Sequence, residues 1–97
     1  MQLTKLKIIT PEGVYIDDLE VEYANVRTSD GQITIYANHT SIVSTLLIGD
    51  MKYEIDGTIK YIHLHRGIIR VSKDQIRILT QRLYEVDEKG QKIKTEI

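Results

Sequence analysis

The sequence predicts an all-β chain: a single β-sandwich of two antiparallel sheets, with about 8–10 short strands and a short charged C-terminal tail. Three observations predict it. Apolar residues fall near every second position through most of the chain, as in Leu3-Thr4-Lys5-Leu6-Lys7-Ile8 and Gln32-Ile33-Thr34-Ile35-Tyr36. Turn combinations return about every 8–12 residues, which favours a sandwich or barrel over a helical or alternating βα design. A length of 97 residues allows one domain, and folding it should bury roughly 60–65% of the unfolded surface. That supports a core but not a core plus an enclosed reaction chamber.

Taken in order, the first strand runs to Ile8 and is broken by Pro11-Glu12-Gly13. Val14 to Thr28 alternates as one run, with Leu19, Val21, Tyr23 and Val26 as inward candidates. Ser29-Asp30-Gly31 is a turn, because Asp bonds its own backbone and Gly accepts positive φ. Gln32 to Tyr36 follows, with Ile33 and Ile35 on one face, then a histidine-bearing loop and a second apolar run closed by Gly49. Ile48–Ile55 and Thr58–Leu64 form a hairpin around Asp56-Gly57, a pair that suits a tight turn. Gly67–Val71 and Gln75–Thr80 form another around Ser72-Lys73-Asp74. Gln81–Glu88 suits either a short helix or an edge strand. The seventeen residues after Thr80 cannot supply two ordinary helices and their connection. Residues 1–86 are therefore the expected domain and residues 87–97 a flexible charged tail.

Composition narrows the function classes. The formal charge is −1 and the basic residues are interspersed with acidic ones, which argues against a nucleic-acid partner. The absence of cysteine excludes disulfides and thiolate metal sites and is compatible with an intracellular setting. No run approaches the roughly 20 apolar residues of a spanning helix, so direct membrane insertion is not expected. A membrane connection would run through a protein partner.

Candidate chemistry is sparse. His63 and His65 share a strand face, and two imidazoles there suggest zinc, but a site needs a third or fourth ligand and Arg66 opposes a cation. His39 lies near Ser41 and Ser44, yet a general base needs an orienting partner and no nucleophile elbow surrounds either serine. Asp17-Asp18, with Glu20 and Glu22, lack calcium-loop spacing and suit a charge-guarded strand edge. The six glycines are dispersed singly, so no phosphate-cradling loop is present. The six tyrosines, the only aromatics, are scattered without a basic groove beside them. No catalytic, cofactor-binding or metal site is assigned.

Several ordered motifs carry a family resemblance. Leu6-Lys7-Ile8-Ile9-Thr10-Pro11-Glu12-Gly13-Val14-Tyr15, Asp30-Gly31-Gln32-Ile33-Thr34-Ile35, and His39 followed by Ile42-Val43-Ser44, Leu46 and Gly49 stand in sequence. Tyr61-Ile62-His63-Leu64, Gly67-Ile68-Ile69-Arg70-Val71 and Gln75-Ile76-Arg77-Ile78-Leu79-Thr80 follow. Together, from Leu3 to about Val86, they resemble the amino-terminal β-sandwich of the epsilon subunit of F-type ATP synthases, called delta in mitochondria. Ala37-Asn38 stand where the family usually has Pro-Gly, Thr40-Ser41 where it has Ala-Pro, and Arg66 replaces one of two glycines.

The resemblance implies a non-catalytic rotor subunit of the central stalk, peripheral on the cytoplasmic face of the cell membrane. It would link the gamma shaft to the c-subunit ring and help couple proton or sodium flow to ATP synthesis or hydrolysis. By family position, Asp30, Gly31 and Gln32 would face the c ring, and Thr10, His39 and Ser44 would face gamma. Ile42 and Val43 would add apolar contact there or fill the core, and an exposed apolar patch is expected on one sheet. The family's carboxy-terminal helical hairpin has no counterpart in this sequence, so the nucleotide binding and inhibition it carries are not expected. Two other classes fit the residues: an adaptor sandwich in a divergent ATPase-like assembly, and a small-ligand β module with a metal at His63 and His65.

Overall fold

The structure, a computed structural model, describes residues 3–89 and 91. Ten strands lie among them: β1 (Thr4–Thr10), β2 (Gly13–Val21), β3 (Tyr23–Thr28), β4 (Gly31–Tyr36), β5 (Ile42–Leu46), β6 (Gly49–Ile55), β7 (Thr58–Leu64), β8 (Gly67–Ser72), β9 (Gln75–Thr80) and β10 (Leu83–Val86). They pair in the order β10-β7-β6-β3-β5-β8-β9-β1-β2, with β4 on the other side of β3. The result is two five-stranded layers, β4-β3-β6-β7-β10 and β5-β8-β9-β1-β2. A single pairing, Thr28 with Leu46, joins them. The sequence expectation of purely antiparallel sheets needs one correction. β1 pairs with β9 in parallel, Lys5 to Ile9 against Gln75 to Leu79.

The alternating pattern explains the core. Leu6, Ile8, Ile69, Val71, Ile76 and Ile78 of one layer meet Ala24, Val26, Ile35, Met51, Ile62 and Leu64 of the other, all buried. Each buried aliphatic side chain of this size contributes roughly 1.5–3 kcal/mol. Hydrophobic burial is therefore gathered into one core cluster between the two layers.

Val14 to Thr28 is two strands, not one. A bend at Glu22, whose N–H donates to the Glu54 carbonyl at 2.8 Å, reverses the alternation. Leu19 and Val21 point inward before it and Ala24 and Val26 after it. Tyr23, expected inside, is therefore only half-buried and lies against Tyr36 on the outside. β2 also outruns its partner. Between Leu6–Leu19 and Ile8–Ile16 it carries two residues, Asp17 and Asp18, against Lys7 alone, and Tyr15 is a further extra residue. Asp18 has φ 50°, in the left-handed region that some bulges use. β2 ends the strand order, so bulges and carboxylates blunt an edge that would otherwise template pairing.

Between the two readings of Gln81–Glu88, the edge strand holds: β10 pairs with β7 from Leu83–Leu64 to Val86–Tyr61. Asp56 and Gly57 both have positive φ, as the tight β6–β7 turn demands. Thr80, buried at the end of β9, has its hydroxyl 3.1 Å from the carbonyls of both His65 and Arg82. It thereby ties the β7–β8 and β9–β10 connections together. The expected flexible tail falls mainly on Gly90 and residues 92–97, outside the described residues.

Candidate functional site

The β3–β4 turn is built by threonine rather than by its aspartate. The Thr28 hydroxyl accepts the Asp30 N–H at 3.1 Å and donates to the Gly31 carbonyl at 2.8 Å, while Gly31 takes φ 110°. Thr10 does the same at the β1–β2 turn, accepting the Glu12 N–H and donating to the Gly13 carbonyl, both at 3.2 Å. With the turn satisfied by Thr28, the Asp30 carboxylate is left to accept a hydrogen bond from Ser44 Oγ at 3.3 Å. The Ser29 N–H donates to the Thr45 carbonyl at 2.9 Å. The hairpin tip is thus fastened to β5. The Gln32 Nε2–H donates a hydrogen bond to Asn25 Oδ1 at 3.0 Å, and Asn25 Nδ2–H in turn donates to Thr34 Oγ1 at 2.8 Å.

Of the remaining sequence-predicted residues, Ser44 joins Asp30 and the others are spread across the second layer. Ile42 pairs with Val71 and packs against the core. Val43, one residue on, is 70% exposed. His39 lies in the β4–β5 loop, where its Nδ1–H donates to the Thr40 carbonyl at 2.7 Å. That loop is pinned to the β8–β9 turn by the Asn38 N–H, 3.1 Å from the Lys73 carbonyl. Thr10 lies at the other end of the layer, where β1 runs beside the last residues of β9. The imidazole of His39 and the hydroxyl of Ser44 are engaged with different partners, so they form no nucleophile–base pair.

The residues that link these points were not singled out from sequence. Partners in register share a face, so Thr45, Ile68, Leu79, Ile9 and Val14 form one row across the outside of the second layer. Ile68, Leu79 and Val14 are 51%, 45% and 53% exposed. Ile9, Thr10, Pro11, Gly67, Ile68 and Leu79 line a groove of about 400 Å³ there. The expected apolar patch is present. Beside it runs a second row, Val43, Arg70, Arg77 and Lys7. Three cations that look scattered in the sequence thus become neighbours. Each outward position was readable from its own strand, but the β1–β9 pairing that aligns them was not.

On the first layer, His63 Nδ1 lies 2.7 Å from Asp50 Oδ1, and the ring stacks on Tyr84 with centroids 4.8 Å apart. His65 meets it edge-on. No group of three metal-ligating side chains occurs among the described residues. No helix among them is long and apolar enough to cross a membrane.

Comparisons with known proteins agree with this architecture. Residues 3–86 match the family described as ATP synthase, Delta/Epsilon chain, beta-sandwich domain. The chain is 36% identical over 76 residues to the ATP synthase epsilon chain of Alkaliphilus oremlandii, covering 78% of this chain and 56% of that one. It is 33% identical over 82 residues to that of Bacillus subtilis, covering 84% and 61%. The chain thus spans little more than half the length of these relatives. A chain from a cryo-EM structure of the Euglena gracilis mitochondrial ATP synthase superposes with a TM-score of 0.82 at 18% identity, over 90% of this chain and 57% of that one. One from the central stalk and c-ring of the Tetrahymena thermophila enzyme gives 0.73 at 15% identity, over 86% and 66%. Because the family match over residues 3–86 takes in all ten strands, the chain belongs to the ATP synthase delta/epsilon family through its β-sandwich domain.

Proposed function

We propose that this chain is a non-catalytic rotor subunit of an F-type ATP synthase, seated in the central stalk between gamma and the c ring on the cytoplasmic side of the membrane. Family membership supports the assembly. The observation that carries the docking role is the outer face of the second layer, where Ile9, Val14, Ile68 and Leu79 form a contiguous apolar row with exposed Val43 in the row beside it. Monomeric proteins rarely leave such residues contiguous unless a partner covers them. The subunit acts through shape. Two layers sharing one core resist shear, so a torque entering at the Asp30–Gln32 turn reaches the second layer through the Asp30–Ser44 bond and the Ser29–Thr45 backbone bond. Its residues perform no bond chemistry; they hold two partners in a fixed relation.

A pull-down of the full chain with gamma and the c ring tests this reading. Wild-type protein should retain both partners. Gln32→Lys should lose the c ring while keeping gamma, and His39→Ala should weaken gamma by a few-fold, as expected for a single contact at an interface edge. Failure of the wild-type chain to bind either partner would reject the rotor assignment.

A further inference from the structure

Arg70 and Arg77 are direct cross-strand partners, and Lys7 is the partner of Arg77 on its other side. Like charges placed directly opposite one another on a sheet are destabilising. Only Lys7 has a counter-charge, Asp17 at 3.6 Å; among the described residues neither arginine has an ion-pair partner. Arg77 Nε is moreover buried without a hydrogen-bond acceptor. The fold thus maintains, at a cost to itself, a cationic row alongside the apolar row of Ile9, Leu79 and Ile68.

We propose that this face binds an amphipathic helix of its partner that carries one carboxylate per turn beside an apolar stripe. This rests on the central-stalk reading and specifies the chemistry of the partner segment at that interface. Strands are spaced ~4.8 Å apart, close to the ~5.4 Å pitch of an α-helix. A helix laid across β8, β9 and β1 therefore offers one acidic side chain to each of Arg70 and Arg77, the two cations left without a counter-charge, while Asp17 already serves Lys7. The two rows are two residues apart along the strands, about 7 Å. That matches the separation between adjacent stripes on one helix, and the apolar stripe then fills the groove at Ile9, Ile68 and Leu79. An anionic bilayer fits less well, because it would also press on Asp17, Asp18 and Glu20 at the β2 edge. A nucleic-acid backbone would leave the apolar row wet.

The test measures binding of the full chain to a gamma–c-ring complex for wild type, Arg70→Gln/Arg77→Gln, Arg70→Glu/Arg77→Glu and the control Lys52→Gln on the other layer. Thermal unfolding checks that each variant folds; removal of the like-charge pair should not lower the midpoint. The neutral pair should weaken binding about tenfold and the reversed pair more, with the control unchanged. Raising salt from about 0.1 M to about 1 M, which cuts the screening length from ~10 Å to ~3 Å, should weaken wild type but not the neutral pair. Wild-type binding indifferent to salt and to these substitutions overturns the charge assignment and leaves the rotor reading standing. No wild-type binding overturns both. Arginine-dependent binding to phosphatidylglycerol vesicles, with gamma binding unaffected, overturns the proposal in favour of a lipid surface.

Discussion

Gly67 lies where β8 passes closest to the end of β9, and a Cβ built on it would overlap the Leu79 carbonyl oxygen and come within 3.0 Å of Thr80 Cα. The obstacle is backbone within a sheet ladder, so no side-chain rotation relieves it. Gly67→Ala should destabilise the domain by at least about 2 kcal/mol, read as a lower denaturant midpoint. An unchanged midpoint would show that the two strands part freely there. Residue-scale reasoning from sequence reached this glycine only as a motif position. It could not have supplied the reason, which depends on β9 lying against it. Asp30 shows the opposite case. Its place in a turn was legible, but the hydroxyl of Thr28 satisfies the turn, and the aspartate does something else: it accepts Ser44 from a strand 14 residues away.

At the scale of elements, the bend between β2 and β3 concentrates a conflict of charge. Glu54 on β6 is raised from its ordinary value, chiefly by the hydrogen bond it shares with Glu22, then by desolvation and the charge of Glu22, against a lowering contribution from Tyr23. The folded protein therefore holds this proton more tightly than the unfolded chain does. Its stabilising contribution is complete below the unfolded value of 4.5 and is lost as pH rises through the higher folded value. Glu54→Gln keeps a hydrogen-bonding group without the charge. The variant should melt higher than wild type at about pH 7 and match it near about pH 4. A wild-type advantage at neutral pH would mean that the two carboxylates do not oppose each other. The hairpins themselves were readable because Asp56-Gly57 and Ser29-Asp30-Gly31 are local turn chemistry. The Glu22 bend was not, because alternation on either side of it looks continuous until β6 supplies the carbonyl that holds it.

For the molecule as a whole, the sequence showed a sandwich through period-two alternation and turn spacing, and its family resemblance implied two docking edges. It did not show that the edges are joined. Parallel pairing of β1 with β9, separated by most of the chain, assembles the outer face from Ile9, Leu79, Ile68 and Val43. The bond from Ser44, on the opposite side of β5 from that face, fastens the β3–β4 turn to the same strand that carries Val43. We propose that this face and the β3–β4 turn, fastened together through β5, hold two partners at once. Site-directed photo-cross-linking in the assembled synthase tests it directly, with a probe at Val43, at Gln32, or at Ile59 on the first layer as a reference. Val43 should cross-link to gamma, Gln32 to the c ring, and Ile59 to neither; cross-linking of Val43 and Gln32 to the same subunit, or of Ile59 in their place, would show that the two regions do not hold separate partners.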